Sequence, residues 1–389
     1  MKIKSILLGI VIAFSCSLSA QENVYKFTKV VENPATPIKD QAETGTCWCF
    51  ATVSFLESEL LRMGKGEYDL SEMFIVRNNY IRRMNDNYLR RGRGNVSQGS
   101  IAHMNIWVMD NVGLMPEEVY DGINYDSATH NHGELAKWVK TVSDAAVEMK
   151  TPLKPEIVNG VLDAYLGQVP ETFTYKGKEY TPHSFAASLP IKMDDYVEIT
   201  SFTHHPFYSK FVLEVPDNWM WDAMYNVPMN EMMAIVDACV EANHPVAWGT
   251  DVSEKGFSRQ KAIAVIPEVV EKNTIGSDAE HWGKLSDAEK QAMINNLEGP
   301  MKEKTITQEM RQEAYDNYEN TDDHGMVIVG TAVDQQGNPF FKVQNSWGDK
   351  GPYKGFYYFS RPFVEYKTMD IMVNKNVVPK EILKKIGLK

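Results

Sequence analysis

A cysteine at the mouth of an apolar helical run, six residues after a glutamine, constrains this chain more than any other feature. The segment reads Gln41-Ala42-Glu43-Thr44-Gly45-Thr46-Cys47-Trp48-Cys49-Phe50-Ala51. Far downstream come His324-Gly325-Met326 and Asn345-Ser346-Trp347-Gly348. A thiol is a modest nucleophile, whereas a thiolate is a strong one. Ser54, Phe55, Leu56, Leu60 and Leu61 continue a helical pattern from about Cys47 to Gly64, a natural C-terminal stop. Cys47 is therefore expected at a helix N-terminus, where the dipole favours negative charge. An imidazolium brought near it, such as His324, would stabilise the thiolate further.

The local pattern around the two distant residues predicts that they meet. Met326 to Val333 reads as a strand, Asp334 to Asn338 as a turn, and Phe340 to Val343 as the returning strand. A hairpin centred near Gly337 would bring residues near 324 and 345 to the same open end. Cys49, two positions beyond Cys47, points to another side of the helix and is expected to be a small buried hydrophobe.

Cys, His, Asn and an upstream Gln resemble the four parts of a papain-type cysteine peptidase. The resemblance implies that His324 hands its proton to the leaving amine, that Asn345 orients the imidazole through its other nitrogen, and that Gln41 donates its side-chain amide to the oxyanion together with the backbone N–H of Cys47. In papain the cysteine–histidine pairing brings the thiol pKa to about 3–4. Here the His and Asn lie 277 and 298 residues after Cys47, against roughly 130–150 in simple papain-like enzymes. The chain therefore carries large insertions. Their order resembles the bleomycin hydrolase and aminopeptidase C branch: Gly99 to Met104, Val112 to Pro116, Leu166 to Tyr175 with Thr181 to Phe185, His205 to Tyr208, and Pro245 to Val252. The likeness runs from about Asp40 to Leu383.

That resemblance implies an α+β, papain-like two-lobe fold with family-type insertions. The helical left lobe is expected over about 40–150, an inserted region over 151–243, a β-rich right lobe over 244–376 and a tail over 377–389. Leu285 to Ala314 reads mainly helical. The resemblance implies peptide substrates, no cofactor, and a catalytic set of Cys47, His324, Asn345 and Gln41. Gly99 and Trp347 are the candidate substrate-binding residues. Gly99 would let a substrate backbone approach closely, or would mark a plain turn. Trp347 would pack over the Asn345–His324 contact and keep water off it. Family members form hexamers, so a homo-oligomer is a possible state. Their C-terminal arm enters the cleft and meets the substrate's amino terminus with its carboxylate. Here Val377 to Leu383 matches the approach to the arm, and Lys384 to Lys389 follows without the expected extension. An endopeptidase or oligopeptidase, and a silent peptide-binding protein that has kept the residues, are the alternatives.

Residues 1–20 read as a signal peptide. Lys2 and Lys4 precede an apolar Ile6 to Phe14 run that is too short to span a membrane, and small residues follow up to Ala20. An exported, periplasmic protein is expected, with lipid attachment at Cys16 as the alternative. The remaining cysteines, Cys47, Cys49 and Cys239, leave little room for a disulfide framework. The formal charge is −12, and removing Lys2 and Lys4 takes it to −14, which argues against general nucleic-acid binding. The basic run Arg82-Arg83 and Arg90 to Gly94 reads as a solvated face or loop. His130-x-His132 and His204-His205 lack a companion carboxylate or cysteine pattern, so no metal is expected.

Overall fold

A computed structural model describes residues 25–268, 297 and 299–388. The expected signal peptide, Cys16, and residues 285–296 and 298 of the stretch read as mainly helical lie outside these residues; residues 299–307 of that stretch are not helical, contrary to the reading. The described part of that stretch includes a helix at Gln308–Asp316.

The first long helix is Cys47–Arg62, and Gly64 follows it with φ 69°. Every side chain from Trp48 to Leu60 is buried, so this helix runs through the interior rather than along the surface. Phe55, Leu56 and Leu60 are at most 1% exposed, and each such burial contributes roughly 1.5–3 kcal/mol. Its two buried carboxylates are paired. Lys39 Nζ lies 2.8 Å from Glu57 and 2.7 Å from Glu72, and Arg62 Nε lies 2.9 Å from Glu59. Removing Lys39 would leave buried charge without compensation, which is why such a lysine is fixed in place.

Eleven strands form one mixed sheet. Its order is Lys210–Val212, Ala223–Asn226, Tyr196–Thr200, Thr368–Asn374, Val246–Thr250, His324–Val333, Pro339–Gln344, Phe356–Ser360, Ile263–Ala264 and Phe257–Ser258, with Thr28–Glu32 added to His324–Val333. The α+β class read from the sequence is the observed one. Residues expected as a separate insertion supply three strands at one edge of this sheet. The 324–345 hairpin forms as read: Val327 pairs with Gln344, Thr331 with Phe341, and Gly337 takes φ 86° in the turn.

Two large apolar clusters flank the sheet and the long helix. One gathers Phe55, Phe74, Leu162 and Phe185 from the helical side. The other gathers Ile235, Trp248, Phe359 and Phe363 from the sheet side, and Val378, Ile382 and Leu383 join it. Lys385, in the last helix Lys380–Lys385, reaches Glu231 of Met229–Glu241 at 2.5 Å. The described tail is thus docked on the sheet-side core. No helix among the described residues is long and apolar enough to cross a membrane.

The basic run is divided, contrary to the reading of one solvated face. Arg90, Arg91 and Arg93 are exposed. Arg83 is fully buried because the protein uses its donors: Nη1 donates to Asn95 O at 2.6 Å and Ser97 Oγ at 3.0 Å, and Nη2 to Gly99 O. The rigid five-donor fork of arginine makes such burial tolerable.

Candidate active site

Cys47 is the first residue of its helix, as its sequence context predicts. Thr46 makes no side-chain capping bond; its hydroxyl sits 2.5 Å from Thr44 Oγ1. Thr46 O accepts the Cys49 N–H at 2.9 Å, and no side chain caps the positive end of the helix. His324 opens its strand, and Gly325 lays that strand against the first helical turn. A Cβ at Gly325 would lie 3.2 Å from Trp48 Cα and 3.3 Å from the Cys47 carbonyl oxygen, so the glycine permits the contact. Cys47 and His324 line one cavity.

Asn345 fixes the imidazole. Its Oδ1 lies 2.8 Å from His324 Nε2 and accepts the Ser346 backbone N–H at 2.8 Å. The Ser346 donor identifies that atom as oxygen, because an amide nitrogen there would oppose donor to donor. His324 Nε2 must then carry the proton. The neutral ring keeps its free lone pair on Nδ1. Trp347 stacks on His324 with ring centroids 4.6 Å apart at 29°, and the Arg259 guanidinium lies over the Trp347 ring, 4.5 Å from its centroid. Trp347 covers the base, as expected, but is not part of the cavity lining.

Gln41 is 6% exposed and tied to the same segment. Its Oε1 accepts from Ser346 Oγ at 2.7 Å, its backbone N–H donates to Ser346 O at 2.9 Å, and its Nε2 donates to Thr44 O at 2.7 Å. One amide hydrogen remains for a further acceptor. Cys49 is fully buried, and its thiol lies 3.4 Å from Glu72 O and from Asn105 Oδ1. It turns away from the cavity, as the helical spacing requires.

The electrostatics differ from the preformed thiolate–imidazolium pair that the sequence suggests. Burial pushes the Cys47 thiol up to about 12, with Asp217 and Asp323 adding to the rise; backbone N–H groups of Gly325 and Trp48 oppose it. Burial holds His324 down to about 4, against the Asn345 hydrogen bond. Desolvation outweighs the helix dipole here. Both shifts act against the ion pair, and the helix N-terminus and the Gly325 and Trp48 N–H groups act for it.

Gly99 stands where no side chain could. A Cβ there would lie 1.9 Å from Asp217 Oδ2. It admits a close approach, but by the Asp217 carboxylate; Ser100, not Gly99, lines the cavity. The sequence reading missed the acidic residues on the cavity wall: Asp217, Asp322 and Asp370. Their positions follow no period and carry no motif. Only the Asp322-Asp323-His324 adjacency offered a signal. The reading also missed Glu214, which joins His204 and His205. Its two oxygens lie 3.0 Å and 2.8 Å from their Nε2 atoms, and the three ligand-type atoms fall within 4.8 Å of one another. Hydrogen bonding among the three accounts for that cluster. His130 and His132 are buried, and Tyr80 Oη lies 3.1 Å from His132 Nδ1.

A family model described as papain family cysteine protease matches residues 26–200, and one described as Peptidase C1-like family matches residues 289–388. The chain is 22% identical to aminopeptidase C of Lactococcus lactis subsp. cremoris, over 89% of this chain and 82% of that protein. It is 21% identical to the mitochondrial cysteine proteinase 1 of Saccharomyces cerevisiae (strain JAY291), over 92% and 79%. The crystal structure of PepW from Lactobacillus rhamnosis HN001 superposes with a TM-score of 0.67 at 19% identity, covering 92% of this chain and 84% of that one.

Proposed function

We propose that this chain, which belongs to the papain-like cysteine peptidases of the bleomycin hydrolase and aminopeptidase C type, is an exported aminopeptidase acting on short peptides through Cys47. The observation that carries the reading is the Asn345-held His324, with its free lone pair on Nδ1, sharing one cavity with a cysteine at a helix N-terminus.

The chemistry follows from that geometry. His324 Nδ1 takes the Cys47 proton, and Sγ bonds to the scissile carbonyl carbon. The carbonyl π-electrons move to oxygen. The Cys47 N–H and the remaining Gln41 amide hydrogen receive that oxyanion. The intermediate collapses, the C–N bond breaks, and His324 gives its proton to the leaving amine. Water, deprotonated by His324, then attacks the thioester; the acid product leaves and Cys47 regains its proton. Asn345 and Trp347 hold the imidazole throughout and take no part in bond changes.

The amino-terminal preference is supported by the names of the relatives, and export by the Lys2-to-Ala20 pattern, which lies outside the described residues. An endopeptidase reading has its own support. The described tail packs against the helix Met229–Glu241, and no residue beyond Asp370 among those described lines the cavity. Product analysis on one hexapeptide, with its amino terminus free and acetylated, separates the two. Stepwise loss of residues from the free peptide alone supports the aminopeptidase. Internal cleavage of both establishes the endopeptidase.

A further inference from the structure

Three carboxylates share the cavity with Cys47, and what surrounds them is unusual for a cluster of acids. Asp370 is 4% exposed, lines the cavity, and its Oδ2 has no hydrogen-bond partner. Asp370 pairs across the sheet with Gly249, where a Cβ would lie 2.5 Å from that Oδ2. Gly99 likewise clears the space of Asp217. Two positions without side chains thus give two carboxylates their places on the wall.

The nearby cations are engaged elsewhere or set apart. Arg83 comes to 3.6 Å of Asp217 Oδ1, but its fork is committed to Asn95, Ser97 and Gly99. His103 sits 3.3 Å from Glu198. Asp322 accepts the Asp217 N–H at 2.9 Å and the Thr321 hydroxyl at 3.2 Å, both neutral donors. Neither lysine nor arginine occurs among the cavity-lining residues. Burying an unpaired carboxylate is costly, and such groups take up a proton instead. Burial raises all three, Asp217 and Asp370 to about 7; Asp322 adds to the rise of Asp217, and Glu198 and then Asp322 add to that of Asp370, against Arg83 and His103. A cation entering the cavity would replace that proton and complete the pairing.

We propose that Asp370, Asp322 and Asp217 form a cation subsite beside Cys47, which holds an alkylammonium or guanidinium group of the peptide next to the bond being cut. The inference rests on the peptidase reading and adds the substrate class to it. The cation has two sources in a peptide: its own α-ammonium group, or a lysine or arginine side chain. In the first case the wall acids perform the counting of an aminopeptidase. In the second they set side-chain preference.

The test compares four fluorogenic aminomethylcoumarin amides at pH 8: alanyl, acetyl-alanyl, acetyl-lysyl-alanyl and acetyl-norleucyl-alanyl. The inference requires kcat/KM at least 10-fold higher for one cationic member of a pair than for its neutral partner. Free over acetylated alanine identifies the α-ammonium; lysine over norleucine identifies a side chain. Asp370→Asn should bring that ratio to within about threefold of unity, and Asp322→Asn should lower it as a second, independently folding variant. Ratios within threefold in the wild type, or a preference that survives both substitutions undiminished, overturn the subsite while leaving the peptidase standing. If the wild type cleaves none of the four, the peptidase reading has failed. Calorimetric titration with n-butylammonium chloride then decides the subsite: binding weakened at least 10-fold by Asp370→Asn supports it, and no binding to the wild type overturns it.

Discussion

Asn345 Oδ1 lies 2.8 Å from His324 Nε2 and accepts the Ser346 N–H from the other side. That double contact decides which nitrogen of the base is free. Asn345→Ala releases the ring and its tautomer together. Misplacement of a catalytic group by about 1 Å costs on the order of 10²-fold in rate, so kcat should fall by roughly that factor with KM little changed. Steady-state kinetics on a single fluorogenic peptide check this. An unchanged kcat would mean that Trp347 alone positions the imidazole.

Gln41 should matter through charge that exists only in the transition state. Gln41→Ala is expected to lower kcat by about 10²-fold with KM nearly constant. Ser346→Ala removes only the hydroxyl that holds Gln41 Oε1, and should produce a smaller loss in the same direction. A KM effect without a kcat effect would place Gln41 in substrate binding instead.

Cys49→Ala should retain the pH–rate profile and lose about 1 kcal/mol of stability, because a buried thiol and its weak hydrogen bonds disappear. Urea unfolding measures the second quantity. Loss of turnover in a folded Cys49→Ala protein would contradict the assignment of the two cysteines to opposite sides of the helix.

The wall acids also predict a pH dependence of stability. An aspartate in an unfolded chain titrates near 3.9, whereas Asp370 in the fold is raised to about 7. Between those values the folded state binds more protons than the unfolded state, so stability falls as pH rises. His324, held low, acts in the opposite sense below about pH 6.5, so the difference between proteins is the useful quantity. Stability of wild type minus Asp370→Asn should decline from pH 4 to 7 and level off above. A difference that stays flat or rises across that window would show that Asp370 is paired in the unliganded protein.

The sequence carried the local parts of this structure and lost the dispersed ones. The Cys47 helix and the 324–345 hairpin follow from short patterns, a glycine stop and a glycine turn, so their ends could be read. Cys49 could be placed from helical spacing alone. Asp217, Asp322 and Asp370 come from an edge connection, a strand entry and an inner strand of the sheet. Nothing local says that they converge, and Gly99 and Gly249 explain themselves only when the carboxylates are in place. Arg83 read as surface because its acceptors are backbone carbonyls and a serine, which leave no charge pattern.

The role of Cys47 is tested most directly by reacting the protein with an epoxysuccinyl inhibitor and mapping the adduct by peptide mass. The geometry predicts one inhibitor per chain, on Cys47, with hydrolysis lost in proportion to labelling and absent from Cys47→Ala. Label on Cys49 or Cys239, or turnover that persists in Cys47→Ala, would contradict it.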